Sequence, residues 1–145
     1  MAIMKKVQTR ELYMGKLSYG ADLLQELTDI CQNEQIQLGR VRAIGAVHRV
    51  RLAYYDQTTH EYQFFVIDQP LEITDLTGNV SLKDGAPFVH AHITLADKQG
   101  RTYGGHLAPG TEVFACEVIL ETFDGPVFER ALDQQTGLPL WALTE

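Results

Sequence analysis

Between residues 45 and 123 the chain is a succession of short β-like runs joined by turns of a few residues, which limits the folds open to it. Val50, Leu52 and Tyr54 alternate with Arg49, Arg51 and Ala53, and further runs cover 60–67, 71–81, 88–97, 102–107 and 112–123. Asp56-Gln57-Thr58, Asp84-Gly85-Ala86-Pro87 and Pro109-Gly110 supply turn chemistry between them. Parallel neighbours need a crossover of about a dozen residues or more, so connections this short predict antiparallel pairing.

One segment departs from period two. Over 21–31, Leu23, Leu24, Leu27, Ile30 and Cys31 recur at helical spacing, and Asp22 stands where a helix N-terminus favours negative charge. Ser18-Tyr19-Gly20 offers capping and breaking residues ahead of it, and Gln32-Asn33 closes it. The expected fold class is therefore α/β of the α+β type, a mostly antiparallel sheet with one main N-terminal helix. At 145 residues and 45% hydrophobic content the chain is sized for a single domain over 1–145. Residues 124–145 combine Pro126, Gly137 and Pro139 with Leu138, Leu140, Trp141 and Leu143. So much apolar surface predicts a tail docking on the domain or on a neighbouring subunit, with Trp141 an interface candidate or an ordinary docked indole.

No apolar run approaches the ~20 residues needed to cross a bilayer, and the start lacks the apolar stretch of a secretory signal, so a cytoplasmic location is expected. Cys31 and Cys116 fall in the helix and a strand without CxxC spacing and read as buried free thiols. The formal charge of -7 has the wrong sign for neutralising phosphates. Arg40, Arg42, Arg49 and Arg51 cluster around one strand, and read as a solvated face balanced by acidic neighbours rather than as a DNA footprint.

The residues that carry chemistry are histidines. In Phe88-Val89-His90-Ala91-His92-Ile93-Thr94-Leu95, alternation puts Val89, Ala91, Ile93 and Leu95 on the core face and both histidines on the other. Residues two apart on a strand are ~6.5 to 7 Å apart, close enough for two imidazoles to lean onto one ion. The return strand follows Lys98-Gln99-Gly100, a three-residue loop with glycine where the left-handed residue belongs. Asp97 then faces Arg101, and His92 falls opposite His106 with Cβ atoms ~4.5 to 5.5 Å apart. A one-residue change in that loop would destroy the arrangement. Three neutral imidazoles suit a divalent metal, zinc first, with the fourth position open to water or substrate. The competing reading is a set of solvent-facing strand histidines. His48 and His60 lack such partners and read as ordinary surface or strand residues.

The run Pro70-Leu71-Glu72-Ile73-Thr74-Asp75-Leu76-Thr77-Gly78-Asn79-Val80-Ser81, with Pro87-Phe88-Val89-His90-Ala91-His92 and Gly104-Gly105-His106-Leu107, resembles the PPC domain, conserved in plants and prokaryotes and found in plant AT-hook nuclear proteins. The resemblance covers most of the chain, from about the helix to about Phe123. It implies the same mostly antiparallel α/β fold, a homotrimeric assembly and a three-histidine metal site at His90, His92 and His106. The chain has no Arg-Gly-Arg-Pro hook, the element that places basic side chains in the DNA minor groove. It also reads Gln69-Pro70-Leu71-Glu72-Ile73 where plant members carry Gly-Arg-Phe-Glu-Ile-Leu.

Other candidates are fewer. Glu72 is a candidate base or supporting carboxylate beside the metal, set against a plain solvent-facing strand carboxylate. Asn79 reads as a residue that sets a local bend or a turn hydrogen bond rather than one that binds a ligand. Gly104-Gly105 lacks the following helix of a phosphate loop, and no Ser, Cys or Lys stands in a nucleophile motif. Three functions stay open: an oligomeric metal-binding module with a regulatory or ligand-binding role, a metal-dependent enzyme activating water on a small substrate, and a DNA-binding regulator.

Overall fold

The computed structural model describes residues 2–144. The elements run β1 (Gln8–Lys16), α1 (Leu23–Asn33), β2 (Gly39–Asp56), β3 (Glu61–Ile67), β4 (Leu71–Lys83), β5 (Ala86–Ala96), β6 (Thr102–Leu107), β7 (Glu112–Asp124), β8 (Glu129–Leu132) and β9 (Pro139–Trp141). They form one nine-stranded sheet, antiparallel throughout except where β8 runs parallel to β4. The expected class, a mostly antiparallel sheet with one N-terminal helix, is the observed one.

The long strand β2 organises the sheet by changing partners along its length. Val41, in its first half, lies between Leu120 of β7 and Gly78 of β4. Ala53, in its second half, lies between Phe64 of β3 and His106 of β6. Register shifts between Ala43 and Gly45 and between Ala46 and Arg49 mark the change, as bulges bend a strand and let it switch neighbours. Because β4 pairs with β5, β5 with β6 and β6 with β2, the strands β2, β4, β5 and β6 close into a circuit.

The helix packs against β5 and buries Leu23, Leu27 and Cys31. Each such leucine stabilises by about 1.5 to 3 kcal/mol relative to an exposed one. Asp22 is itself the N-cap, its Oδ1 accepting from the Gln25 N–H at 2.9 Å. Ser18 plays a different part, donating through its backbone N–H and its hydroxyl to the Glu26 carboxylate. Burial pushes the Cys31 thiol up to about 12; burial and then Glu26 and Glu117 push Cys116 to about 11, so both free thiols stay protonated near neutrality.

Two elements, β1 and β2, differ from the sequence expectation. β1 was not foreseen, because its residues are almost all exposed and no apolar alternation marks it. β2 begins at Gly39 rather than after Gly45, and over Gly39–Ala43 it alternates buried and exposed. Tyr54 is exposed and Ala53 buried, the reverse of the simple alternation, because the β2–β3 hairpin runs past the core at Leu52 while Ala53 lies against β6. The segment after β7 returns to the sheet through β8, and the Trp141 indole N–H donates to Ser81 Oγ at 3.0 Å. Among the described residues no helix is long and apolar enough to cross a membrane.

Candidate metal centre

The hairpin β5–β6 sets the site. Gly100 has φ +78°, the left-handed conformation its loop position demands. Its N–H donates to the Asp97 carbonyl and the Asp97 N–H donates to the Arg101 carbonyl, both at 2.9 Å. The nearly buried Asp97 carboxylate accepts from the backbone N–H groups of Gln99 and Arg101 and from Arg101 Nε at 2.8 Å. Burial alone would raise its pKa, but these hydrogen bonds and the Arg101 charge outweigh it and hold the carboxyl below its ordinary value.

From this turn the register runs outward as the loop length predicts, Ala96 opposite Thr102, Thr94 opposite Gly104 and His92 opposite His106. Val89, Ala91, Ile93 and Leu95 are all buried, while His90, His92 and His106 share the opposite face. Each histidine offers one ring nitrogen, and these three atoms lie within 4.8 Å of one another. Ring centroids are 5.2 Å apart for His90 with His92 and for His90 with His106, and 5.7 Å for His92 with His106. His90 and His106 are half-buried and His92 is exposed.

The donor set fits a divalent ion. Burial, with the charges of His106, Arg130 and His92 adding to it, depresses His90 to about 4; burial and then His92 depress His106. Both rings are therefore neutral at physiological pH, the form that ligates metal.

The histidines line a pocket of about 750 Å³. One wall comes from Ala53 and Tyr55 of β2 and Tyr62 of β3, whose ring lies 4.9 Å from that of His106. Phe88 of β5, Arg130 of β8 and Thr136, Leu138 and Leu140 of the C-terminal segment also line it. That segment is tied down where Tyr55 Oη donates to the Thr136 carbonyl at 2.6 Å. Gly137 has φ +72°, and a Cβ there would stand 2.7 Å from Tyr55 Oη and 3.0 Å from His60 Nδ1, so glycine lets the tail settle on this wall.

The remaining candidates separate. Glu72 is exposed on β4 opposite Ala96 and does not line the pocket. Asn79 sets no bend: it pairs with His90 in regular register, and its Oδ1 accepts from Arg130 at 2.7 Å. His60 is a turn residue with φ +58° whose ring stacks on Tyr55 at the pocket edge, placed there by the hairpin rather than by any motif. His48 packs edge-on against Tyr19 and Phe114. Of the arginine cluster, Arg40 pairs with Glu121 and Arg42 with Asp75 on one exposed face of β2, Arg51 lies over the Phe64 ring, and Arg49 Nε is buried with no hydrogen-bond partner among the described residues. Arg130 is the site residue sequence reasoning passed over. Its one signal was a cation two residues from Phe128, on the buried face of a short strand.

These features, an antiparallel sheet with one helix and three convergent histidines on a hairpin, define the class of protein. A family model for the Plants and Prokaryotes Conserved (PCC) domain matches residues 4–124, and the chain belongs to that family. Among solved structures, a metal-containing protein from Archaeoglobus fulgidus is similar with TM-score 0.93 and 40% identity, over 98% of this chain and 100% of that one. A plant- and prokaryote-conserved (PPC) protein from Pyrococcus horikoshii is similar with TM-score 0.92 and 32% identity, over 99% of each chain. The bifunctional protein GlmU of Synechococcus sp. (strain JA-3-3Ab) is 36% identical over 128 residues, 87% of this chain; the chain spans 19% of that relative's length.

Proposed function

We propose that the chain is an oligomeric metal-binding module with a regulatory or ligand-binding role, in which His90, His92 and His106 hold one divalent ion. The observation that carries this reading is the convergence of three ring nitrogens within 4.8 Å on one hairpin, at the mouth of a ligand-sized pocket. The likeness to a metal-containing archaeal protein supports it. Zinc is the first choice, because three imidazoles with one open position is the donor set of a zinc site that takes an exchangeable ligand. The match to a fraction of a much longer bifunctional protein suits a module that works beside other units.

A homotrimer is the proposed assembly. Its support is a group of exposed apolar residues on the outer sheet face, Met14 of β1 paired with Ile119 of β7 and Leu12 and Ile44 on the same face, interspersed with the Arg40–Glu121 pair and Arg42. The protonated buried thiols suit a reducing, cytoplasmic setting.

The enzyme reading requires a group that takes a proton from metal-bound water; among the described residues no Asp or Glu lines the pocket, which leaves His60 at its edge as the candidate base. The DNA reading has least support, since Arg40 and Arg42 are already paired with acids. A steep salt dependence of binding to generic duplex DNA would revive it.

Elemental analysis of the purified protein beside a His90→Ala, His92→Ala variant, with subunit mass measured on both, tests the proposal. We expect near-stoichiometric metal in the wild type and its loss from a folded variant. Absence of metal from the wild type even after zinc is supplied would reject the site.

A further inference from the structure

The pocket lined by the histidines contains a buried cation that no carboxylate of the described residues neutralises. Arg130 is 8% exposed, and its side chain donates only to neutral acceptors: Ser81 Oγ at 3.0 Å, the Pro139 carbonyl at 2.9 Å and Asn79 Oδ1 at 2.7 Å. Arg10, Arg40, Arg42 and Arg101 each stand beside an Asp or Glu, while Arg49 and Arg51, which like Arg130 have no such partner among the described residues, are both more exposed than Arg130 and lie outside this pocket. Five N–H groups belong to a guanidinium, so those three bonds leave donors to spare. The Phe88 and Trp141 rings flank the group at 5.3 and 5.6 Å, which orients it but supplies no negative charge.

The rest of the pocket repeats the bias. Lys83 lines it as a second cation, its Nζ 5.2 Å from the Phe88 ring, and among the described residues no acid lines it at all. Tyr55, Tyr62 and Phe88 give aromatic walls, and about 750 Å³ falls within the range of small-molecule sites. A buried guanidinium without a counter-charge is costly, and a bidentate oxyanion is the partner its geometry fits.

We infer that this pocket binds a small organic anion, a carboxylate or phosphate ester on a planar ring, with its anionic head on Arg130 and its ring between the aromatic walls. The inference deepens the reading of the pocket as a ligand site and rests on it for location. The alternative is that Arg130 serves only to hold β9 against the sheet through Pro139.

Calorimetric titration of the zinc-supplemented and the metal-free protein with phenyl phosphate and benzoate, each beside its neutral counterpart benzyl alcohol or benzamide, separates the two. We expect each anion to bind at least about tenfold tighter than its neutral counterpart. Arg130→Met should abolish that preference while keeping cooperative unfolding and the wild-type metal content. Lys83→Met, at a less buried position, should weaken it several-fold, which keeps the test decisive if the Arg130 variant fails to fold. Equal binding of anion and neutral counterpart to the wild type would overturn the anion site and leave the metal site standing. Anion preference unchanged in a folded Arg130→Met protein would likewise overturn it. A preference that persists in protein unable to take up zinc would support the anion site while rejecting the metal proposal.

Discussion

The two faces of strand β5 are built from alternate residues of one segment and have opposite chemistry. Val89, Ala91, Ile93 and Leu95 look inward, all at or below 4% exposure, and belong to a core formed with α1 and the surrounding strands. His90 and His92 look the other way, into a pocket with aromatic walls, two cations and a lining from the C-terminal segment. The first face is held by burial of apolar area and has no polar atom to satisfy. The second gathers groups whose partners come from outside the face: ring nitrogens disposed to ligate an ion, and an arginine with no acid beside it among the described residues. A fold can afford the second face because the first already holds the strand.

The sharpest way to break this comparison is to truncate one residue on each face. Leu95→Ala should destabilise by about 2 to 5 kcal/mol, the range for emptying a dry, fully packed site, read as a lower denaturant midpoint at unchanged slope. His92→Ala in metal-free protein should change stability by no more than about 0.5 kcal/mol, since that ring is exposed. Comparable losses for both would mean that the histidine face is structural.

The next effect is smaller and depends on pH. His90 titrates near 4 in the folded metal-free protein but near 6.5 when unfolded, so between those values the unfolded state binds the extra proton. Stability from this group is present above about pH 6.5 and is lost as pH falls toward 4, a decline on the order of 2 kcal/mol after allowing for solvent screening of the partly exposed ring. Thermal melts of metal-free wild type and His90→Phe across this window check it: the decline should be shallower in the variant. Parallel curves would assign the pH dependence to other groups.

The turn that aligns the two faces gives a further test. Asp97 has its pKa held below the ordinary carboxylate value, so its contribution exists above the unfolded value and vanishes as pH falls through the folded one. Asp97→Asn should therefore be less stable than wild type at neutral pH and converge with it in acid. A constant gap at every pH would mean that the side chain's shape, not its charge, pins the turn.

How much of this was legible in sequence depended on whether a local pattern carried it. The alternation over Val89 to Leu95, the glycine at 100 and the loop length were enough to place His92 opposite His106, because hairpin register is set by adjacent residues. The C-terminal lining was not legible. Arg130 reaches the pocket through pairing of β8 with β4 across some fifty residues, and no turn or period connects 82 to 129. For the same reason Asn79 read as a bend: its partner lies in that distant segment. Strand β1 escaped because its exposed residues bear no apolar period, and pairing with β7 is a long-range event.

The smallest prediction sharpens the inner face from the helix side. Asp22 caps α1 through Gln25 N–H, and its other oxygen accepts from the Gly110 N–H, tying the helix start to the loop between β6 and β7. Removing the cap by Asp22→Ala should cost about 1 kcal/mol, the usual value for losing a side-chain acceptor at this position. The loop it also frees leads from His106 toward β7, yet His106 itself stays in the ladder opposite His92 and Ala53. Metal affinity should therefore be unchanged in Asp22→Ala, measured by competition with a chelator, while the unfolding midpoint drops. A fall in both would show that the helix, although on the far side of the sheet, helps to hold the histidines in place.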